Sequence, residues 1–288
     1  MFNFNDIENK ISYRKDGCII NNIQSTTIEY INIYVQITNL CNAKCKFCSN
    51  YGACEEKFNK DFFFEIFDEI YAKKFINKVT FTGGEPTLNK DLIECIKYVR
   101  NKDSKILIFV DTNASNLNVV EEISPYVTSI ALSRHHFDDN KNNEIFNLKT
   151  ASNKDLENLP IYTKNKINLR CNLIKNYIDT IDKCKEYLDW CNKININSVG
   201  FVKLMPYTEY AKENYVNLDI SKIPGINVTK HSCRPGICYC NNYLYKGKCG
   251  CIILYDKETI NKESNQNTLV LSNNKLLLGF RGEVLYAK

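Results

Sequence analysis

Short apolar runs alternate with amphipathic stretches along most of the chain, and this alternation predicts its fold. Apolar or alternating runs of strand length predict six strands, at residues 28–38, 78–84, 105–111, 127–133, 166–174 and 199–205. Patterns with helical spacing lie between them, at residues 60–75, 88–101, 117–123, in the segment that ends at 159, and at 179–192. Because a helical segment separates successive strands, the chain is expected to form repeated βα units around a parallel sheet buried on both faces.

This order of elements predicts an α/β fold, a partial (βα)6 TIM-like barrel with a smaller C-terminal β-rich, cysteine-containing appendage. Residues 1–28 are predicted to form an N-terminal extension, with a hairpin over 9–22 that turns at 15–17. Residues 29–206 form the predicted core barrel. Residues 207–288 are rich in Gly, Cys, Tyr and Asn, and they contain the strand-like pieces LVLS, KLLLGF and EVLYA.

Composition narrows the class of protein. The chain has 288 residues, of which 44% are hydrophobic, enough to bury a sizeable core. The net charge of +5 is spread along the chain, so nucleic-acid binding is not expected. No apolar run approaches the ~20 residues of a membrane span, and the N-terminus lacks the apolar region of a signal peptide. A soluble, cytoplasmic protein is therefore predicted.

Fourteen cysteines are many for a chain without an export signal, and metal or catalytic roles are more common there than disulfides. Two clusters are dense, one containing Cys41, Cys45, Cys48 and Cys54, the other Cys233, Cys238, Cys240, Cys249 and Cys251. The scattered ones are Cys18, Cys95, Cys171, Cys184 and Cys191. We interpret most of the scattered cysteines as buried small hydrophobic residues.

The first cluster follows the first predicted strand. Cys41, Cys45 and Cys48 can ligate three corners of a [4Fe–4S] cube, which leaves one iron open for an exogenous ligand. A zinc or four-cysteine site with Cys54 as the fourth ligand is the alternative.

A glycine pair follows the second predicted strand, in the sequence Thr82-Gly83-Gly84-Glu85-Pro86-Thr87. Glycines without Cβ atoms let a ligand approach the backbone closely. Glu85 can accept hydrogen bonds from an ammonium group, and Pro86 stiffens the exit of the turn. Taken alone, the segment is equally consistent with an ordinary strand-to-helix turn.

The C-x3-C-x2-C spacing, with Phe47 before the third cysteine and GGEP one βα unit later, resembles the radical S-adenosylmethionine (SAM) superfamily. The resemblance implies a [4Fe–4S] cluster on Cys41, Cys45 and Cys48, and SAM held by Phe47 and by Gly83, Gly84, Glu85 and Pro86. It also implies a low-potential electron donor such as flavodoxin or ferredoxin. Reductive cleavage of SAM would give a 5′-deoxyadenosyl radical that takes a hydrogen atom from a substrate.

Family positions at the carboxyl ends of later strands imply further site residues. The candidates for contact with the cofactor are Asn113, Ser133, Arg134 and Asn172, with Ala114 standing where the family often has glycine. His135 and His136 are candidates for substrate contact or proton transfer. The alternative is that one of these histidines caps a loop and the other faces solvent. Tyr207 and Glu209, just past the sixth strand, are expected to face the substrate.

The second cysteine cluster predicts an auxiliary metal site, with His231 beside it. Superfamily members often carry auxiliary clusters in SPASM or twitch extensions, although this spacing does not match the SPASM pattern. An auxiliary iron–sulfur cluster is preferred to structural zinc, and a redox thiol pair or a hydrogen-atom donor are further alternatives. Metal binding would supply folding free energy to a small β-rich segment.

The predicted function is hydrogen abstraction from a small metabolite or a ribosomally made peptide in natural-product biosynthesis, the two left unranked. Only 40 residues precede Cys41, which disfavours a fused peptide-recognition domain ahead of the barrel. The alternatives are a glycyl-radical activating enzyme and a zinc-stabilised binding or scaffold protein.

Overall fold

A computed structural model describes residues 2–11, 30–48, 58–228, 241–245, 248–255, 267–280 and 282–288. For residues 241–243 and 248–255 the description is limited to the backbone. Among these residues no helix is long and apolar enough to cross a membrane.

Six strands and the helices between them form the core. The strands are β1 Tyr30–Thr38, β2 Phe75–Gly83, β3 Leu107–Thr112, β4 Ser129–Ser133, β5 Ile167–Leu173 and β6 Ser198–Lys203. The helices are α1 Lys60–Lys73, α2 Leu92–Lys102, α3 Leu117–Ile123, α4 Asp139–Phe146, α5 Asn153–Asn158, α6 Ile161–Lys164, α7 Ile181–Lys193 and α8 Glu209–Glu213. Short 3-10 turns lie at Phe4–Asp6, Glu8–Lys10, Pro86–Leu88 and Ile220–Lys222. The predicted strands are confirmed, with the correction that Phe75 begins β2 and does not end α1.

The core strands pair in chain order, and every pairing from β1 to β6 is parallel. Alternate residues of β1 are buried, from Ile31 to Ile37, and the apolar face of α1 covers the sheet with Phe63, Ile66 and Phe67. The predicted α/β class with a mostly parallel central sheet is therefore confirmed. Parallel strands place all their carboxyl ends at one rim, where the loops that carry the candidate residues meet.

The C-terminal residues extend the core sheet at both edges. These strands are β7 Ile226–Val228, β8 Asn241–Tyr245, β9 Lys248–Tyr255, β10 Thr268–Ser272, β11 Lys275–Leu278 and β12 Val284–Ala287. The sheet runs in the order β12-β11-β10-β1-β2-β3-β4-β5-β6-β9-β8-β7, with β9 parallel to β6 and β10 parallel to β1. The predicted strand pieces are confirmed, and the domain boundary at residue 206 stays a prediction.

The N-terminal residues pack beside α1. Phe2 and Phe4 are buried, and their backbone N–H groups donate to the carboxylates of Glu65 and Glu69, at 2.8 and 3.0 Å. Residues 8–10 form a 3-10 turn, so the predicted hairpin does not begin as a strand there. The rest of that hairpin lies outside the described residues.

The scattered cysteines lie where the sequence predicted them. Cys95, Cys171, Cys184 and Cys191 are at most 2% exposed and belong to the main hydrophobic core. Cys18 lies outside the described residues. The interpretation of the four described cysteines as buried small hydrophobic residues is confirmed.

Candidate active site at the carboxyl ends of the strands

The loop after β1, residues 39–48, carries the three cysteines and is called the cysteine loop below. Cys41 is exposed, Cys48 is half-buried, and Cys45 is 9% exposed. The backbone N–H of Lys44 donates to the carbonyl of Phe146 at the end of α4, at 2.9 Å. The Thr208 hydroxyl, at the start of α8, donates to the carbonyl of Lys46 at 3.1 Å. Two distant segments therefore hold this loop at the rim of the sheet.

The thiols of the cysteine loop perturb one another. Burial raises the pKa of Cys45 to about 12, and the neighbouring Cys48 and Cys41 sulfurs add to the rise. Although Cys41 is exposed as a residue, partial desolvation of its sulfur raises its pKa, and a backbone hydrogen bond at Ala43 opposes this rise.

Thiolates that have lost water gain strongly from a bound cation, so the donor set fits an iron–sulfur cluster. Among the described residues no three His, Cys, Asp or Glu side chains converge on a single-ion site. A cube is bound corner by corner, so its three cysteines need not converge on one point. Cys41, Cys45 and Cys48 would hold three of its irons.

Gly83 lies directly against Thr38 at the end of β1, and Gly84 lies against the start of the cysteine loop. The N–H of Gly84 donates to the carbonyl of Thr38, and the N–H of Glu85 donates to that of Leu40, both at 2.7 Å. A Cβ atom on Gly83 would stand 2.1 Å from the Thr38 oxygen, and one on Gly84 would stand 2.0 Å from the Leu40 oxygen. The predicted close approach to these glycines is therefore made by residues 38–40 of the protein itself. Their contact with SAM stays a prediction, as does that of Pro86, which is buried at the start of a 3-10 turn.

Glu85 ties the GGEP turn to the end of β3. Its side chain is buried, and Oε1 accepts from the Thr87 backbone N–H (3.1 Å) and from the hydroxyls of Thr87 (2.6 Å) and Thr112 (2.7 Å). Oε2 accepts from the backbone N–H of Asn113 at 2.7 Å. Burial raises the pKa of Glu85, and hydrogen bonds from Thr87, Asn113 and Thr112 oppose the rise. The predicted ammonium contact stays a prediction, while the hydrogen bonds show that this carboxylate organises the turn.

Asn113 reaches the cysteine loop from the end of β3. Its side-chain amide donates to Asn42 Oδ1 at 2.9 Å and lies 3.9 Å from Cys41 Sγ. Ala114 adopts a left-handed φ of 59°, the conformation that glycine favours. The structure therefore brings Asn113 beside the first cysteine, and its contact with SAM stays a prediction.

Arg134 is directed into the protein. It is 1% exposed, and its guanidinium donates to the carbonyls of His136 (2.9 Å) and Ala151 (2.7 Å). It also donates to Asp139 Oδ1 at 2.5 Å and Asn153 Oδ1 at 2.7 Å. This arrangement gives Arg134 a structural role behind the rim, and its contact with the cofactor stays a prediction. Ser133 is half-buried on β4.

His135 and His136 are both buried, at 4% and 2% exposure, so neither faces solvent. Nδ1 of His135 accepts the backbone N–H of Asn172 at 3.1 Å, and Nδ1 of His136 accepts that of Asp138 at 2.9 Å. These hydrogen bonds assign the proton of each neutral ring to Nε2.

Burial, with the Arg134 charge second, lowers the pKa of His135 to about 3. Burial, with Lys141 second, lowers the pKa of His136 to about 4. Both imidazoles are therefore neutral at neutral pH. Their catalytic roles, and the cofactor contact of Asn172, stay predictions.

Sequence reasoning missed Asn142, Thr87 and Thr112. Asn142 Oδ1 accepts the backbone N–H groups of His135 (2.8 Å) and His136 (3.3 Å). Thr87, directly after the GGEP motif, offered a local signal. Asn142 offered none, because its partners lie on another segment.

The remaining candidates are the two residues past β6 and the members of the second cysteine cluster. Tyr207 is half exposed, and Glu209 forms a surface ion pair with Lys212, so their substrate roles stay predictions. Cys54, His231, Cys233, Cys238 and Cys240 lie outside the described residues. Cys249 and Cys251 belong to β9, where Cys251 pairs in register with Ser198 of β6.

Known proteins resemble this chain in its core. A family model for the radical SAM superfamily matches residues 35–201. A GTP 3′,8-cyclase of Haemophilus influenzae is 26% identical over 186 residues, which cover 62% of this chain and 54% of that protein. A putative glycyl-radical enzyme activating enzyme of Methanocaldococcus jannaschii is 28% identical over 190 residues, which cover 61% of this chain and 71% of that protein. The chain thus spans about half the length of the cyclase relatives.

Streptococcus suis SuiB, crystallised with S-adenosylmethionine, has the same fold. It superposes with a TM-score of 0.64 at 15% identity, covering 88% of this chain and 62% of SuiB. The family model spans more than half of the chain and includes all three cysteines and the GGEP turn. The chain therefore belongs to the radical SAM superfamily, whose members are enzymes that use a [4Fe–4S] cluster and S-adenosylmethionine.

Proposed function

We propose that this enzyme reductively cleaves SAM and uses the resulting radical to take a hydrogen atom from a ribosomally made peptide in natural-product biosynthesis. One observation carries the first half of the proposal. Two backbone hydrogen bonds join the GGEP turn to the end of β1 and to the cysteine loop, across glycines that tolerate no side chain. When bound, the cluster and SAM supply a 5′-deoxyadenosyl radical, which abstracts hydrogen from an unactivated C–H bond.

The residues of this chain hold that chemistry in place. Cys41, Cys45 and Cys48 would hold the cluster. The Glu85 carboxylate keeps the GGEP turn against the end of β3, and the Glu85 backbone N–H keeps it against the cysteine loop. A flavodoxin or ferredoxin supplies the electron, and a reducing cytoplasm is the proposed location.

A peptide is the first candidate substrate because of a structural neighbour. SuiB has also been crystallised with the precursor peptide SuiA, and that structure covers 88% of this chain with a TM-score of 0.59. The cyclase relatives, whose name indicates a nucleotide substrate, match 62% of the chain. A small metabolite is the second candidate substrate because of these relatives.

We also propose an auxiliary iron–sulfur cluster on cysteines of the second cluster. Support comes from β9, which carries Cys249 and Cys251 and continues the core sheet beside β6. The double variant Cys249→Ala/Cys251→Ala should lose about 4 Fe per chain while keeping the first cluster. Unchanged iron content in the folded variant would remove these two cysteines from any cluster.

Anaerobic reconstitution tests the core proposal. The protein should bind at least ~4 Fe per chain with equivalent sulfide, and form 5′-deoxyadenosine from SAM after reduction by dithionite. Cys45→Ala should abolish the product. Cys95→Ala, which alters a buried thiol of the core, is the matched control and should keep it. Stoichiometric zinc without labile sulfide would contradict the proposal.

The substrate is tested by hydrogen transfer. With a deuterated candidate peptide, deuterium should appear in 5′-deoxyadenosine. Transfer from a deuterated nucleotide instead, with none from peptides, would select the metabolite alternative.

A further inference from the structure

The His135 ring lies between two phenylalanine rings at the end of β4. It stacks on Phe146, with ring centroids 4.7 Å apart and planes at 19°. On another side the Phe47 ring meets it edge-on, at 5.2 Å and 82°. Both arrangements are favoured geometries for aromatic pairs. His135 therefore connects α4 to the residue that immediately precedes Cys48.

Hydrogen bonds from two segments fix the position of His135. Its backbone N–H donates to Asn142 of α4, and its Nδ1 accepts the N–H of Asn172 on β5. Asn142 is 0% exposed, and its amide donates in turn to the Thr150 hydroxyl at 2.9 Å. A side chain held in this way gives its neighbours a rigid surface.

The cysteine loop meets this surface twice. The Lys44 N–H bonds the carbonyl of Phe146, and the Phe47 ring packs on His135. Phe47 is half-buried and also packs with Ile145, Ile174 and Leu204 in a small apolar cluster. The residues on both sides of Cys45 therefore contact His135 or Phe146, Phe47 through its ring and Lys44 through its backbone N–H.

We propose that His135 is a positioning residue, a neutral aromatic spacer that fixes Phe47 and thereby residues 44–48 of the cysteine loop. In this role the ring matters through its shape, and Nδ1 serves only to orient it. The proposal rests on the proposed function for what the loop binds, but the rigidity of the loop is a property of the protein alone.

The first measurement needs no cofactor. In the apo protein, the amides of Lys44 and Cys48 are hydrogen-bonded, and hydrogen exchange reports how often the loop opens. His135→Ala should speed their exchange about tenfold or more, because it removes the surface under Phe47. His135→Phe, which keeps a ring, should recover most of the protection. Phe64→Ala removes a ring stacked on Tyr98 at 4.0 Å and is the matched control.

The second measurement uses the reconstituted enzyme. His135→Ala should raise KM for SAM about tenfold, because a displaced loop misplaces the cofactor site. His135→Phe should restore KM, and its pH–rate profile should match that of the wild type. If His135→Ala does not fold, Phe47→Leu removes the same contact from the loop side and should speed the exchange of the same amides. KM is not compared for that variant, because Phe47 is itself a predicted SAM contact.

The outcomes separate the alternatives. If His135→Phe is as impaired as His135→Ala, the shape of the ring is not sufficient and the spacer role is wrong. If His135→Phe loses one limb of the pH profile, a ring nitrogen takes part in the chemistry and the spacer role is also wrong. If His135→Ala exchanges like Phe64→Ala, the loop does not depend on the ring. Faster exchange in a protein that never forms 5′-deoxyadenosine would leave the spacer in place and contradict the proposed function.

Discussion

Two groups of three cysteines occur in the described part of this molecule, and burial raises thiol pKa values in both. In the cysteine loop, Cys41, Cys45 and Cys48 lie within eight residues of sequence. In the core, burial raises the pKa of Cys171 on β5, and the sulfurs of Cys184 and Cys191 on α7 add to the rise. Burial raises the pKa of Cys45 and that of Cys184 to about 12 in each case.

The two groups differ in access and in what surrounds them. Cys41 is exposed and has the Asn113 amide beside its sulfur, while the core cysteines are at most 2% exposed among apolar side chains. A raised thiol pKa therefore does not by itself indicate a ligand. Ligand cysteines need a path for the metal and polar groups nearby, and only the loop provides both.

The largest expected effect compares one thiol from each group. Cys48→Ala should abolish 5′-deoxyadenosine formation and lower the bound iron, because the cluster loses one of its three ligands. Cys171→Ala should keep the iron and lower the free energy of unfolding by about 1–2 kcal/mol, the cost of a small cavity. Iron analysis measures the bound cluster in each variant, and thermal unfolding measures its stability. Loss of iron in folded Cys171→Ala would show that the core group is more than packing.

The next effect tests the contact between the GGEP turn and the cysteine loop. Gly84→Ala should lower the rate of 5′-deoxyadenosine formation about 100-fold, because its Cβ would displace the backbone at Leu40. The control is Gly282→Ala, whose Cβ would stand 1.6 Å from the carbonyl of Leu278. It should lower Tm without changing the rate of 5′-deoxyadenosine formation per folded chain. An equal loss of this rate in both variants would mean that general destabilisation explains the result.

A smaller effect tests the structural role of Arg134. Arg134→Met should lower the free energy of unfolding by about 3 kcal/mol, because it leaves buried acceptors unpaired. KM for SAM should stay within about twofold of the wild type, as denaturant curves and steady-state assays will show. A tenfold rise in KM with unchanged stability would instead support the cofactor contact of Arg134 predicted from the sequence.

The smallest effect, counted per pH unit, is on the pH dependence of the free energy of unfolding. The His135 imidazole binds a proton near pH 6.5 when unfolded but only near pH 3 when folded, so acid favours the unfolded state. Between these values its contribution to the free energy of unfolding should fall by up to about 1.4 kcal/mol per pH unit. The free energy of unfolding of His135→Phe, taken from denaturant curves at several pH values, should depend less steeply on pH than that of the wild type. An identical slope in both proteins would mean that the folded imidazole titrates normally.

The strands and the two motifs were predictable because their signals are local. Apolar runs report burial on both faces, and cysteine spacing reports a loop that can surround a cluster. The direction of the Arg134 side chain was not predictable. Side chains alternate along a strand, so a residue just past its end can point to the rim or to the core. Asn142 was missed because its bonds to His135 and His136 exist only when α4 folds back on the strand ends.

The sequence by itself determined the α/β class, the three cysteines and the GGEP turn, because each follows from neighbours within a few residues. Tertiary structure decided that the glycines contact residues 38–40, that Glu85 binds Thr112 and Asn113, and that His135 lies between Phe47 and Phe146. It also decided that the C-terminal strands extend both edges of the core sheet. These features join segments that are distant in sequence, and only packing of the parallel strands brings those segments to one rim.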